Sequence, residues 1–168
     1  MAIEIHRPIV KTLAWPDESH TRDFAQALAQ RVLAGGAGWR ASIALRGDLG
    51  AGKTTLVRHL LQALGVQGRI KSPTYAVVEP YSVSRAGAEP LAVWHFDFYR
   101  FNDPDEWEET GFRDIFAGPG LKLVEWPDKA GPHLPAPDLS LSLETGSADE
   151  RRVCINALTP TGAALLGA

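Results

Sequence analysis

The residues best equipped for chemistry are Gly47-Asp48-Leu49-Gly50-Ala51-Gly52-Lys53-Thr54-Thr55. A glycine, four residues and then Gly-Lys-Thr form the pattern of a loop that cradles phosphates. Its glycines allow backbone angles and close approaches that a Cβ would obstruct. Backbone N–H groups can then converge on an anion. Lys53 supplies a point charge for β- and γ-phosphates, and Thr54 supplies a hydroxyl for Mg²⁺. Such a loop requires a strand before it and a helix after it. Ala41-Ser42-Ile43-Ala44-Leu45 reads as a buried strand. Leu56, Leu60, Leu61 and Leu64 recur at helical spacing, and Gly65 closes the helix.

A phosphate-bound Mg²⁺ needs further hard oxygen ligands, often through water. Asp97 ends the apolar run Leu91–Asp97, and Glu125 stands near the end of Leu121–Trp126. Each is a candidate metal or catalytic acid, and each also fits an ordinary strand-end acid that bonds a loop. Thr74, after Ser72-Pro73, is either a switch-like hydroxyl at the γ-phosphate or a simple turn hydroxyl. His95 alternates with Asp97 and is either an orienting group or a packed strand histidine. The five histidines lack close metal-ligand spacing. No Asn-Lys-x-Asp pattern supports guanine recognition.

These groups need a frame. Lys11–Trp15 is expected as an edge strand, and Pro16-Asp17-Glu18-Ser19 as a helix start capped by Asp17 or Ser19. Phe24, Leu28 and Val32 mark an amphipathic helix that ends at Gly35-Gly36. Tyr75–Tyr81 is expected as a strand, Ser82–Pro90 as a polar, hairpin-like connection and Asn102–Thr110 as a short acidic helix. The carboxylates of that helix, Asp103, Asp105, Glu106, Glu108 and Glu109, read as a solvated face or a partner surface. Phe112, Ile115 and Phe116 anchor a second short helix. Pro127–Pro137 is expected as a loop, and Leu139–Leu143 and Arg151–Leu158 as half-exposed antiparallel strands. Thr159–Ala168 closes with a short helix.

The chain has 168 residues, for which one domain, 1–168, is the simplest expectation. Its formal charge of −3, from 17 Lys plus Arg and 20 Asp plus Glu, argues against holding nucleic acid by bulk charge alone. Cys154 is the single cysteine, expected as a small buried hydrophobe. No stretch is long and apolar enough to span a bilayer, and Glu4 and Pro8 interrupt any signal-peptide core. The expected location is cytoplasmic.

Four stretches together resemble the TsaE (YjeE) family, bacterial ATPases of tRNA threonylcarbamoyladenosine synthesis. They are Gly47–Thr55, Lys71-Ser72-Pro73-Thr74-Tyr75, His95-Phe96-Asp97-Phe98-Tyr99-Arg100 and Val124-Glu125-Trp126-Pro127. The likeness runs from Leu13 to about Leu158. It implies an α/β P-loop NTPase fold, a mixed central sheet flanked by helices. It implies ATP and Mg²⁺, with Asp48–Thr55 around the phosphates, Lys53 on phosphate and Thr54 on metal. Glu125 and Asp97 are placed near the metal, Trp126 near the nucleotide, and Glu18 at the nucleotide from the first helix start. The implied partners are TsaD and TsaB, with tRNA reached only through their complex and no membrane. The ATPase is expected to support turnover of TsaD–TsaB, and to be weak alone, while TsaD transfers the group. Trp107 departs from the pattern by standing where an aliphatic residue is usual. Two other classes fit a phosphate loop: a small-molecule kinase and a nucleotide-gated binding module. A kinase needs closing arginines, for which Arg100 and Arg113 are the candidates between Phe98 and Phe116.

Overall fold

A computed structural model describes residues 6–70, 73, 77–103 and 105–168. Its strands are β1 (Ile9–Trp15), β2 (Arg40–Arg46), β3 (Val78–Arg85), β4 (Ala88–Asp97), β5 (Gly120–Glu125), β6 (Leu139–Thr145) and β7 (Arg151–Ala157). Its helices are α1 (Glu18–Leu33), α2 (Lys53–Ala63), α3 (Glu106–Thr110), α4 (Phe112–Ala117), α5 (Pro127–Ala130) and α6 (Pro160–Leu166). The strands form one seven-stranded sheet in the order β1-β7-β6-β2-β5-β4-β3. The four strands β6, β2, β5 and β4 run parallel, while β1, β7 and β3 join antiparallel at the flanks.

The centre is parallel because its strands are apolar on both faces. Every residue of β5 is buried, as are Ala41, Ile43, Ala44 and Leu45 of β2. One face packs Ile43, Leu45, Leu123 and Leu141 against Leu28 and Val32 of α1 and Leu56, Leu60 and Leu61 of α2. Asp17 caps α1 by accepting from the Ser19 N–H at 2.9 Å. A second cluster joins Phe96, Phe98, Phe101 and Val124 to Trp107 of α3 and to Phe112 and Phe116 of α4. The Phe96 and Phe116 rings lie 4.8 Å apart, and Phe112 meets Phe96 edge-on at 85°. Trp107 is 1% exposed in this aromatic wedge, so the unusual residue fills the core there.

Four local expectations are corrected. The third strand runs over Val78–Arg85, past its expected end at Tyr81, while Tyr75 and Ala76 lie outside the described residues; Ser82–Pro90 forms the expected hairpin, with β3 and β4 extending into it. As the sheet's edge, β3 carries polar residues and Pro80 at no cost to a central ladder. Part of Pro127–Pro137 is helical, with Pro127 at the first helical position of α5 and a 3-10 turn over Gly131–His133. Strand β6 is buried at Leu139, Ser140, Leu141 and Leu143, since it runs between β2 and β7 rather than along an edge. Cys154 is only partly buried, because Val153, Ile155 and Ala157 take the core face of β7.

Candidate functional site

The loop between β2 and α2 follows the C-terminal end of a central parallel strand, where open α/β sheets place their ligands. Gly47 has φ 145°, and a Cβ there would lie 2.5 Å from the Leu143 carbonyl oxygen. Glycine is thus the residue that lets the loop fold against β6. Lys53, at the first position of α2, is 5% exposed. Its Nζ donates to the carbonyls of Gly47 and Asp48, the latter at 3.0 Å, and lies 4.1 Å above the Trp126 ring. Burial pushes the Lys53 pKa down, and the charges of Glu125, Asp97 and Asp48 oppose that shift.

Opposite Lys53, parallel pairing places Asp97 beside Glu125. Glu125 is 2% exposed and uses both oxygens. Oε1 accepts from the Thr54 hydroxyl at 2.9 Å. Oε2 lies 2.6 Å from His95 Nε2, whose N–H it accepts. His95 is fully buried, and its Nδ1 has no hydrogen-bond partner among the described residues. This geometry assigns His95 to orienting Glu125. Asp97 accepts from the Tyr99 N–H at 3.0 Å. Burial raises the Asp97 pKa, Glu125 raises it further, and the Tyr99 N–H, His95 and Lys53 pull it down.

A cavity of about 290 Å³ gathers Leu49, Gly50, Ala51, Gly52, Lys53, Thr54, Thr55, Asp97, Glu125 and Trp126. Trp126 enters it from a left-handed backbone at φ 55°, with Tyr99 at 5.0 Å between ring centroids. Asp48 faces a neighbouring cleft with Gly47 and Leu143. Glu18 stands in an adjoining groove of about 390 Å³ with Asp17, Ser19, Thr21 and Thr55, where its carboxylate meets His59 Nε2 at 2.8 Å. Thr74 lies outside the described residues.

Arg151 escaped the sequence reading. Its Nε donates to the Ala51 carbonyl at 3.0 Å, and its side chain borders both the cavity and the groove. No local signal marks it. Only the placement of β7 beside β6 and β1 brings it to the loop.

The donor set fits a nucleotide with Mg²⁺. A buried lysine and a glycine-lined cradle suit phosphates, and one hydroxyl with two carboxylates suits a hard cation. Among the described residues no three His, Cys, Asp or Glu side chains form a closed metal cage. Mg²⁺ is commonly held by one or two carboxylates together with phosphates and water.

A parallel-centred sheet with this loop at its strand ends is a P-loop fold of the α/β class. The family model described as "Threonylcarbamoyl adenosine biosynthesis protein TsaE" matches residues 15–153. The chain belongs to the TsaE family. The tRNA threonylcarbamoyladenosine biosynthesis protein TsaE of Haemophilus influenzae is 39% identical over 153 residues, covering 91% of this chain and 93% of that protein. The TsaE of Bacillus subtilis is 35% identical over 116 residues, 69% of each chain. The crystal structure of Bacillus subtilis YdiB superposes with a TM-score of 0.71 at 25% identity, over 96% of this chain and 95% of that one.

Proposed function

We propose that this chain binds ATP with Mg²⁺ and hydrolyses it as the ATPase component of tRNA threonylcarbamoyladenosine biosynthesis. Family membership supports the pathway. The observation that carries the chemistry is the Thr54–Glu125–His95 chain facing the buried Lys53. Lys53 would exchange its carbonyl partners for the β- and γ-phosphates. Thr54 would hold the metal, and Glu125 and Asp97 would hold it or its waters. Bound Mg²⁺ supplies neutralisation of charge that develops on the phosphates. The loop's N–H groups and the α2 N-terminus add fixed positive potential. Trp126 covers Lys53 and limits water around it.

The kinase reading loses one closing arginine. Arg113 pairs with Glu108 at 2.7 Å and borders a cavity away from the phosphate loop. The proposed partners are TsaD and TsaB, whose turnover the ATPase supports without transferring the group itself, with tRNA reached through them. The exposed carboxylates of Asp103, Asp105, Glu106 and Glu108 offer them a charged surface. The proposed setting is the cytoplasm; among the described residues no helix is long and apolar enough to cross a membrane. Steady-state ATP hydrolysis, measured alone and with saturating TsaD–TsaB, tests the proposal. Slow turnover alone and faster turnover with the partners is expected. Equal rates refute partner activation, and absence of calorimetric ATP binding refutes the nucleotide assignment.

A further inference from the structure

The N-terminal ends of β2 and β5 hold a second cavity, of about 500 Å³, lined by Arg40, Lys122, Arg113, Asp138, Phe116 and Pro135 among others. The seven residues of β2 separate it from the phosphate loop by about 20 Å, at ~3.3 Å per residue. We propose that this cavity binds a phosphate monoester, with Arg40 and Lys122 on the phosphate and Phe116 and Pro135 against the organic part.

The charges point to an anion. Lys122 is 1% exposed, and its Nζ donates to the carbonyls of Gly118 and Gly120, the latter at 3.3 Å. An ammonium has three donors, so one remains for a ligand. Arg40 donates through one terminal nitrogen to the Ala117 carbonyl at 2.9 Å, leaving much of its fork available. Neither cation has a carboxylate within ion-pair distance among the described residues. Asp138, the acid of the lining, is already committed. Its Oδ2 accepts from the Ser42 N–H at 2.8 Å and its Oδ1 from the Thr159 hydroxyl at 2.7 Å. Burial and the neighbouring Arg40 push the Lys122 pKa down to about 8, against a weaker upward pull from Asp138. Arg113 adds a third positive charge at the rim, shared with Glu108. Three cations against Asp138 and Glu108 leave the pocket net positive, and the open donors of Arg40 and Lys122 suit the several oxygens of a phosphate. The space exceeds that of bare phosphate, and its apolar wall suits an organic substituent.

Phenyl phosphate and benzoate are titrated into the ¹⁵N-labelled full chain while backbone amides are followed by NMR. Phenyl phosphate is expected to give saturable shifts at Arg40, Ala117, Gly118, Gly120 and Lys122. Arg40→Gln, an exposed position, should weaken that response about tenfold and leave the shifts at Gly50 and Gly52 as in wild type. Lys122→Met should weaken it as well where its circular dichroism is unchanged. No saturable response at the sheet end overturns the site, as does an equal response in Arg40→Gln. Equal affinity for benzoate overturns the phosphate assignment in favour of a carboxylate.

Discussion

Lys53 and Lys122 are both buried, and burial disfavours the charge of both. Their surroundings are opposite. Lys53 faces Glu125, Asp97 and Asp48, which sustain its charge. Lys122 faces Arg40, which opposes its charge, and only Asp138, already committed to Ser42 and Thr159, helps it. At one end of the sheet the cation belongs to a set of acids that a metal could join. At the other it rests on carbonyl oxygens, with Asp138 as the acid that helps it. A buried lysine is therefore no single kind of signal. The sign of its neighbours decides whether it completes a balanced site or calls for an outside anion.

The sharpest break in the comparison is Lys53→Ala. It removes a charge-assisted phosphate contact worth roughly 1.5–3 kcal/mol, so ATP affinity or turnover should fall at least about tenfold. Calorimetry and steady-state hydrolysis read this on a variant with unchanged circular dichroism. Wild-type values in both would remove Lys53 from the phosphate site. The next effect concerns the acid side. His95→Phe frees Glu125 Oε2, so the Mg²⁺ concentration needed for half-maximal hydrolysis should rise about fivefold, about 1 kcal/mol and only part of the hydrogen bond's worth, because the histidine acts on the metal through Glu125. Metal-free nucleotide binding should hold, and His95→Gln should recover part of the loss. A Mg²⁺ titration that matches wild type for His95→Phe would make the histidine packing alone.

The smallest effect sharpens the Lys122 side. Its folded pKa of about 8 lies below the ordinary 10.5. Between those values the unfolded chain binds more protons, so this group makes native stability rise with pH across that window. Below pH 8 the lysine is protonated in both states, and the burial penalty is fully present. Urea midpoints at about pH 7.5 and about pH 10, either side of most of that window, should show a more favourable pH trend in wild type than in Lys122→Met. Parallel trends would mean that Lys122 keeps an ordinary pKa in the fold.

The sequence made the phosphate loop, its strand and its helix legible because their signals are short-range: glycine spacing, an apolar run and a helical period. It also marked Asp97 and Glu125 as strand-end acids, but only the parallel pairing of β4 with β5 puts them side by side. His95 stayed ambiguous because a strand histidine looks the same packed or orienting. Its contact with Glu125 depends on the neighbouring strand. Arg151 was illegible for the same reason at greater range. Polar composition hid the extent of β3, since an edge strand needs no apolar second face. Proline and glycine hid α5, since proline is welcome in a helix's first turn and looks like a loop residue in isolation.

The Arg151 contact also sets an order of events during synthesis. Ala51 and Arg151 are 100 residues apart. At about 5–20 residues per second, a ribosome needs roughly 5–20 s to supply the second after the first. The edge strand β1 waits longer still, because Ile9 pairs with Ala157. The nascent chain thus carries its P-loop, unbraced, through most of translation, and pairings of such sequence distance close slowly even once the chain is free. Folding of the N-terminal half should therefore finish late, with the arrival of its last two strands rather than with its own helices.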